Sequence, residues 1–324
     1  MNKAIFKFFI FIFIFQAQLS FGCLNGETLE LKNGVLLYQD SEYKDIPKGH
    51  DFYKQDFDAI IKELRNLYKE TNDIDYLSDV GVVLILQKKY NEAIKLYNQI
   101  EKTHPNRYST ASNLGTIYEL TGDNINALKW IEKSVKINTK SHNGSEWIHV
   151  NILKAKVNGL NFSSQNIINT DFSFESFPKT DLTDNNLSSL RYQIYFQLNE
   201  RISFIKEKDK SIAVLLFDLA NIDYLLGEKS SQYKELYKMA VDYGFDEKFV
   251  EDRLKAIEKH ELANKDIAKD VIDEKNISNS KKTKSESTSY IIYLLLSIVL
   301  LIILYFLQLQ MNQEILLNPY SFEK

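Results

Sequence analysis

Between Phe57 and Tyr68 the apolar residues Phe57, Ile60, Ile61, Leu64, Leu67 and Tyr68 fall three and four apart. That spacing predicts a helix, starting near Asp51, with one apolar face. From Ile74 to Thr139 the pattern also repeats. Gly81 and Gly115, Val80 and Leu114, Ala93 and Ala127, Leu77 and Ala111, and Tyr97 and Ile131 are all separated by one and the same step along the chain. Self-similarity at a fixed period of about 34 residues marks a solenoid of helical hairpins. Small residues at Gly81 with Ala93, and at Gly115 with Ala127, let two antiparallel helices approach closely, while larger positions fill the gap to the next pair. Ala59 precedes Ala93 by the same step, so the helix from Asp51 reads as the second half of a degraded first unit.

With Ile74 as the first position, Leu77, Val80, Gly81, Leu84, Ala93, Tyr97, Ile100 and Pro105 fall where tetratricopeptide repeats place their W, L, G, Y, A, F, A and P. A second unit from Tyr108 supplies Ala111, Leu114, Gly115, Tyr118, Gly122, Ala127, Ile131 and Ser134, and departs at Thr139, where Pro is expected. Units 74–107 and 108–141 therefore resemble tetratricopeptide repeats, with Leu77, Gly81, Ala93, Tyr97, Pro105, Leu114, Gly115, Tyr118 and Ala127 as the packing set. The resemblance implies an all-α stack whose concave side, lined by the first helix of each unit, holds a protein or peptide partner. The implied lining is Asp75, Ser78, Val82 and Ile85, then Ser109, Ser112, Thr116 and Glu119, then Asn143, Glu146, Val150 and Leu153. Repeats that clamp a chaperone's C-terminal carboxylate carry Lys and Asn at the fifth and ninth places of the first unit and Asn at the sixth of the second. Here Ser78 and Val82 depart and Asn113 alone matches, which argues against that role.

The flanks predict an exported, anchored chain. Residues 1–22, with Lys3 and Lys7 ahead of the apolar Phe8 to Phe15, have the layout of a signal peptide. Cys23 is then the first mature residue and a candidate for lipidation, although Leu19 stands one place too early and Ser20 occupies the position where a lipoprotein signal carries Leu. In the extension 23–50, Thr28 to Tyr38 alternates and carries Asn33-Gly34, which predicts a β-hairpin with a type I′ turn and a capping role. Beyond Thr139 the period decays. Glu146 to Val157 reads as the first helix of a third unit. A polar insertion, Asn158 to Asn186, holds Phe172, Phe174 and Phe177 too close together for a helical face. Helices follow at Leu187–Lys206, Ser211–Leu226, Ser231–Tyr243 and Asp246–His260, and Gly227 with Ala240 loosely echoes the small positions of a repeat. The helical domain thus spans 51–260. A polar linker covers 261–289 and reaches about 30 Å. An uncharged apolar stretch, 290–309, has the length of a transmembrane helix, and a tail follows at 310–324. Three lysines, Lys281, Lys282 and Lys284, sit on the exported side of that stretch, against the rule that cytoplasmic flanks are the more basic.

Composition narrows the function by exclusion. Lys and Arg number 40 against 44 acids, for a net charge of -4, which leaves no basic stripe for nucleic acid. One cysteine excludes an internal disulfide framework. No phosphate loop, dinucleotide fingerprint, zinc-protease motif or nucleophile elbow occurs, and His142 with His149, seven apart, share a helix face only if Gly144 is helical. The expectation is a non-enzymatic scaffold of a bacterial envelope, without cofactor, metal or small-molecule substrate. Its repeat domain is periplasmic, single-pass anchored and bound to a protein partner. The alternative is a sensor that couples the repeats to a cytoplasmic partner.

Overall fold

The computed structural model describes residues 28–40, 46–173, 175–263 and 293–304. The predicted signal peptide, Cys23, the linker beyond residue 263 and the tail 310–324 lie outside the described residues. The chain divides into two compact units, Met1–Ala256 and Ile257–Lys324. Helices dominate and one two-stranded sheet precedes them, as the pattern predicts.

In the first unit β1 (Thr28–Glu30) pairs antiparallel with β2 (Leu36–Gln39), with a bulge between Leu29 and Glu30. The turn corrects the expected type I′ geometry. Only Gly34 has positive φ, at 84°, and the loop closes through Gly34 N to Leu31 O and Leu31 N to Val35 O, both 2.8 Å. A type I′ turn needs positive φ at both central residues. Here the extra loop length instead buries Leu31 and frees the Lys32 amide for Asp79. Residues 51–56 are not helical, and Tyr53 N donates to Leu37 O at 2.9 Å. Helix α1 (Phe57–Thr71) therefore starts later than expected, at the N-cap Asp56, whose side chain accepts Ala59 N.

Two hairpins follow, α2 (Ile74–Leu86) with α3 (Tyr90–Thr103), and α4 (Tyr108–Leu120) with α5 (Asn124–Ile137). Both ends of both helices recur at the same offset that separates Gly81 from Gly115. The glycines explain the close approach. A Cβ on Gly81 would lie 2.3 Å from the Tyr97 ring, and one on Gly115 2.4 Å from Ile131 Cδ1. Buried Ala93 and Ala127 sit on the second helices, Leu114 is buried, Leu77 and Tyr118 are partly so, and Pro105 lies exposed in the connection. The offset then fails, because His142 and Asn143 adopt left-handed conformations in a short 3-10 turn, Ser141–Gly144, which delays α6 (Glu146–Asn158) by four residues.

The insertion holds one short helix, α7 (Ser164–Ile168), and α8 (Asp184–Phe204), α9 (Lys210–Leu225) and α10 (Ser230–Asp242) follow, then α11 at 247–263. The α9–α10 turn repeats that of the first two hairpins. In each, a left-handed residue, Lys88, Gly122 or Gly227, sits at the same place, and the next amide (Lys89, Asp123, Glu228) returns to a carbonyl five residues back. Gly227 is therefore a turn residue rather than a small helix-packing position.

In the second unit the helix at 293–304 exposes every side chain, Leu295 at 57% and Leu301 at 65% among them. Its 12 residues make about 18 Å, against about 30 Å of hydrocarbon. Among the described residues no helix is long and apolar enough to cross a membrane, and the predicted span 290–309 runs past the described stretch at both ends.

Candidate functional site

The residues expected to line an open groove on α2, α4 and α6 are mostly covered. Of these, Ser78, Val82, Ile85, Ser109, Ser112, Glu146, Val150 and Leu153 are buried, Asp75, Thr116 and Glu119 are partly exposed, and Asn143 is exposed. Neighbouring units account for some of this: the Ser78 and Ser109 hydroxyls meet at 3.4 Å, and Val150 joins a cluster with Ala127, Ile131 and Leu153. Asn113, the one match to a carboxylate clamp, instead donates to Tyr97 Oη at 2.7 Å, which donates to Ser78 O at 2.9 Å. The remaining cover comes from the chain's own N-terminal segment and from α8. Most of the lining expected on these helices is therefore covered within the chain itself. The period marks which helices line this face but carries no information on what the distant chain lays across it.

At the α2 end the hairpin loop is the cover. Lys32 N donates to Asp79 at 2.6 Å, Lys32 Nζ lies 3.0 Å from Asp73 and 3.3 Å from Asp75, and Arg107 pairs with Asp75. Burial raises the Asp79 carboxyl to about 7 despite the Lys32 amide. Val35, Phe52 and Phe204 pack on the apolar cluster that contains Val82 and Ile85.

From there the chain crosses α8. Gly49 N donates to Asn199 Oδ1 at 2.9 Å, and His50 N to Ser203 Oγ at 2.7 Å. Gly49 has φ +81°, and a Cβ there would lie 2.9 Å from Ser203 N, so only glycine fits this backbone-on-backbone crossing. His50 stacks on Tyr38, with ring centroids 4.0 Å apart, and its imidazole nitrogens lie 2.8 Å from Asp40 and 3.3 Å from Glu200. Burial lowers the imidazole, but Glu200 and Asp40 outweigh it and hold its pKa above the ordinary value.

At the α4–α6 end the seam with α8 is built from charges. The Glu119 side chain, 8% exposed, lies 2.6 Å from His149 Nε2, 2.7 Å from Lys156 Nζ and 3.0 Å from Arg201 Nη1 of α8. Burial by itself raises this carboxyl, yet Arg201, His149 and Lys156 hold it well below the ordinary range. Glu146 pairs with His142 and lies 3.7 Å from His149, and the two imidazoles overcome burial to depress it as well. His149 is lowered by burial and raised further by Glu119 and Glu146, for a net rise. The left-handed turn at His142 and Asn143 swings His142 back onto Glu146, a convergence that spacing alone did not reveal. Gln197 of α8 donates to Ser145 Oγ at 3.0 Å, Trp147 Nε1 to Gln193 Oε1 at 2.6 Å, and Asn143 Nδ2 to Tyr192 Oη at 2.9 Å. A cavity of about 50 Å³ remains in the seam, lined by Thr116, Glu119, His142, Glu146, Gln197 and Arg201 among others. Arg201 Nε and Glu146 Oε2 are buried there without a hydrogen-bond partner.

A second buried network closes the far side of α8. Arg191 pairs with Asp223 of α9, which also accepts from Gln232 of α10 at 2.6 Å. Arg253 of α11 lies over the rings of Phe217 and Phe249 and donates to the carbonyls of Ser173 and Glu175, which pins the insertion by its backbone. Phe172 of the insertion is buried. Beneath it Asp218 accepts Ser164 Oγ at 2.7 Å, and burial pushes its carboxyl up to about 8.

Among the described residues no group of three or more His, Cys, Asp or Glu is placed to hold a metal ion. The acids of the seam each face cations or imidazoles, an arrangement that holds charges and side chains in place. Sequence reasoning missed α8 as the cover. The usable signals were Glu119, an acid at a lining position, and the polar Arg191, Gln197, Asn199 and Arg201, all buried on one helix. No protein-family model matches this chain, and no curated protein matches it. The fold and site define a class, a helical protein with repeated hairpins and a self-occupied inner face.

Proposed function

We propose that the chain is a non-enzymatic scaffold of the tetratricopeptide kind, whose inner face binds a helical or extended segment of a protein partner. The observation that carries this reading is the recurrence of both helix hairpins at one common offset, ends included, with Gly81 and Gly115 admitting Tyr97 and Ile131 at the crossings. The inner face already accommodates a helix, which supports a helix as the natural form of a partner. The N-terminal signal and the apolar stretch 290–309 support export and anchoring, with the repeats tethered outside the cytoplasm. A sensor that couples the repeats to a cytoplasmic partner through 310–324 is the second reading, and Lys281, Lys282 and Lys284 on the outer flank oppose the exported orientation that both readings share.

Crosslinking in intact membranes, followed by identification of the crosslinked protein, tests the scaffold. Because Val82 is wholly buried, the substitutions are placed at partly exposed positions, Asp75→Lys and Thr116→Arg. Loss of a specific crosslink supports the inner face, and an unchanged set of crosslinks counts against it. Deletion of 310–324 leaves a scaffold bound to its partner and disables a sensor. A chain ended at residue 263 leaves the membrane fraction if 290–309 is the anchor.

A further inference from the structure

The seam between α8 and the inner face differs in kind from the packing within the hairpins. Hairpin contacts are apolar and close, as at Gly81 with Tyr97 and Gly115 with Ile131. Across the seam Arg201 meets Glu119, Gln197 meets Ser145, Gln193 meets Trp147, and Tyr192 meets Asn143, joined by the Phe196 ring on His142 and by Phe204 on the apolar cluster, beside a cavity of about 50 Å³ and two buried polar atoms without a hydrogen-bond partner. Polar, imperfectly packed faces are typical of surfaces that come apart, whereas permanent ones resemble a domain core. On its other side α8 packs on α9, where Arg191 pairs with Asp223.

We propose that α8 is a resident, autoinhibitory helix. It occupies the inner face until a partner helix replaces it at Glu119. The inference rests on the scaffold reading and adds the partner's chemistry. The entering helix presents a cation where Arg201 meets Glu119 and, one turn on, an aromatic or large aliphatic side chain where Phe204 packs on the cluster of Val82 and Ile85. Two devices restrain α8. At its C-terminal end the Gly49–His50 crossing holds Asn199, Glu200 and Ser203. In the same last turn the Glu119 cluster holds Arg201. A face closed for all but one molecule in about a hundred weakens a partner about 100-fold, so opening is a point of control.

The probe is a fluorescent peptide of the chain's own sequence, Asp184–Phe204, added to the full-length protein. Arg201→Glu sets the resident helix against Glu119 while the peptide keeps its arginine, so this variant should bind the peptide at least tenfold more tightly than wild type. Ser145→Cys with Gln197→Cys, in a Cys23→Ser background and bridged across the seam by a short bis-methanethiosulfonate reagent, should bind no peptide, and reduction should restore wild-type binding. Hydrogen exchange on wild type needs no substitution: the amides of α8 should exchange before those of α2 to α5. Equal peptide binding by Arg201→Glu and wild type, or exchange of α8 only together with α2 to α5, overturns the proposal. If Arg201→Glu does not fold, the exchange order and the cysteine pair decide. A membrane crosslink that depends on Thr116 but persists in the bridged pair would leave the scaffold standing and remove the resident helix.

Discussion

Gly81 and Asp218 show two ways in which one side chain controls this fold. Gly81 faces a Tyr97 ring that is fully buried and hydrogen-bonded at both its donor and acceptor sides, so the ring has nowhere to move. Gly81→Ala should destabilise by about 1–3 kcal/mol through overpacking. Gly122→Ala meets no atom within 4 Å and pays only for its φ of +85°, about 1–2 kcal/mol. Urea melts of the two variants give the comparison. Asp218 acts through a proton. Its folded pKa of about 8 is raised above the unfolded value near 3.8, so its stabilising contribution is full below pH 4 and is lost as pH rises to 8. Asp218→Asn should remove a dependence of about 1.4 kcal/mol per pH unit from unfolding free energies measured between pH 5 and 8. An unchanged slope would show that Asp218 is ionised in the folded chain.

At the scale of elements, the insertion is held by a side chain rather than by a helix face of its own. Arg253, 1% exposed, reaches the carbonyls of Ser173 and Glu175 from α11. Arg253→Ala deletes both bonds and both ring contacts, so residues 169–183 should become the first site of limited proteolysis, well before the hairpins α2 to α5. Cleavage elsewhere first would mean that Phe172 suffices to hold the insertion. The hairpin loop behaves similarly toward α2, where the single amide of Lys32 meets the buried Asp79.

For the whole first unit, the inner face is held by groups that titrate in opposite senses. Glu119 and Glu146 have depressed folded pKa values, so their contribution is present above the ordinary carboxylate value near 4.5 and is lost as pH falls through the folded value. His50 and His149 have raised values, so theirs is full below about 6.5 and is lost as pH rises through the folded value. Asp79, raised to about 7, loses its contribution from about pH 4 upward, as Asp218 does. The urea midpoint should therefore be highest near pH 4–5. Glu119→Gln should make the acid limb shallower, and His50→Gln the alkaline one. A midpoint independent of pH from 4 to 8 would show that these charges contribute nothing net to closing the face.

The amino-acid sequence by itself determined the elements and the hairpin unit. Helix faces follow from spacing, and the hairpin crossing joins residues only 16 apart, Gly81 to Tyr97 and Gly115 to Ile131, so the constraint on both partners falls within one period and is legible as a repeat. Even there the third unit slipped, because left-handed His142 and Asn143 leave no mark in an apolar pattern. Tertiary structure alone decided what lies on the inner face. Arg201 meets Glu119 across 82 positions, and Asn199 meets Gly49 across 150. A contact between residues that far apart imposes no period on either segment, so Glu119 reads as a groove residue awaiting a partner until the fold brings Arg201 onto it.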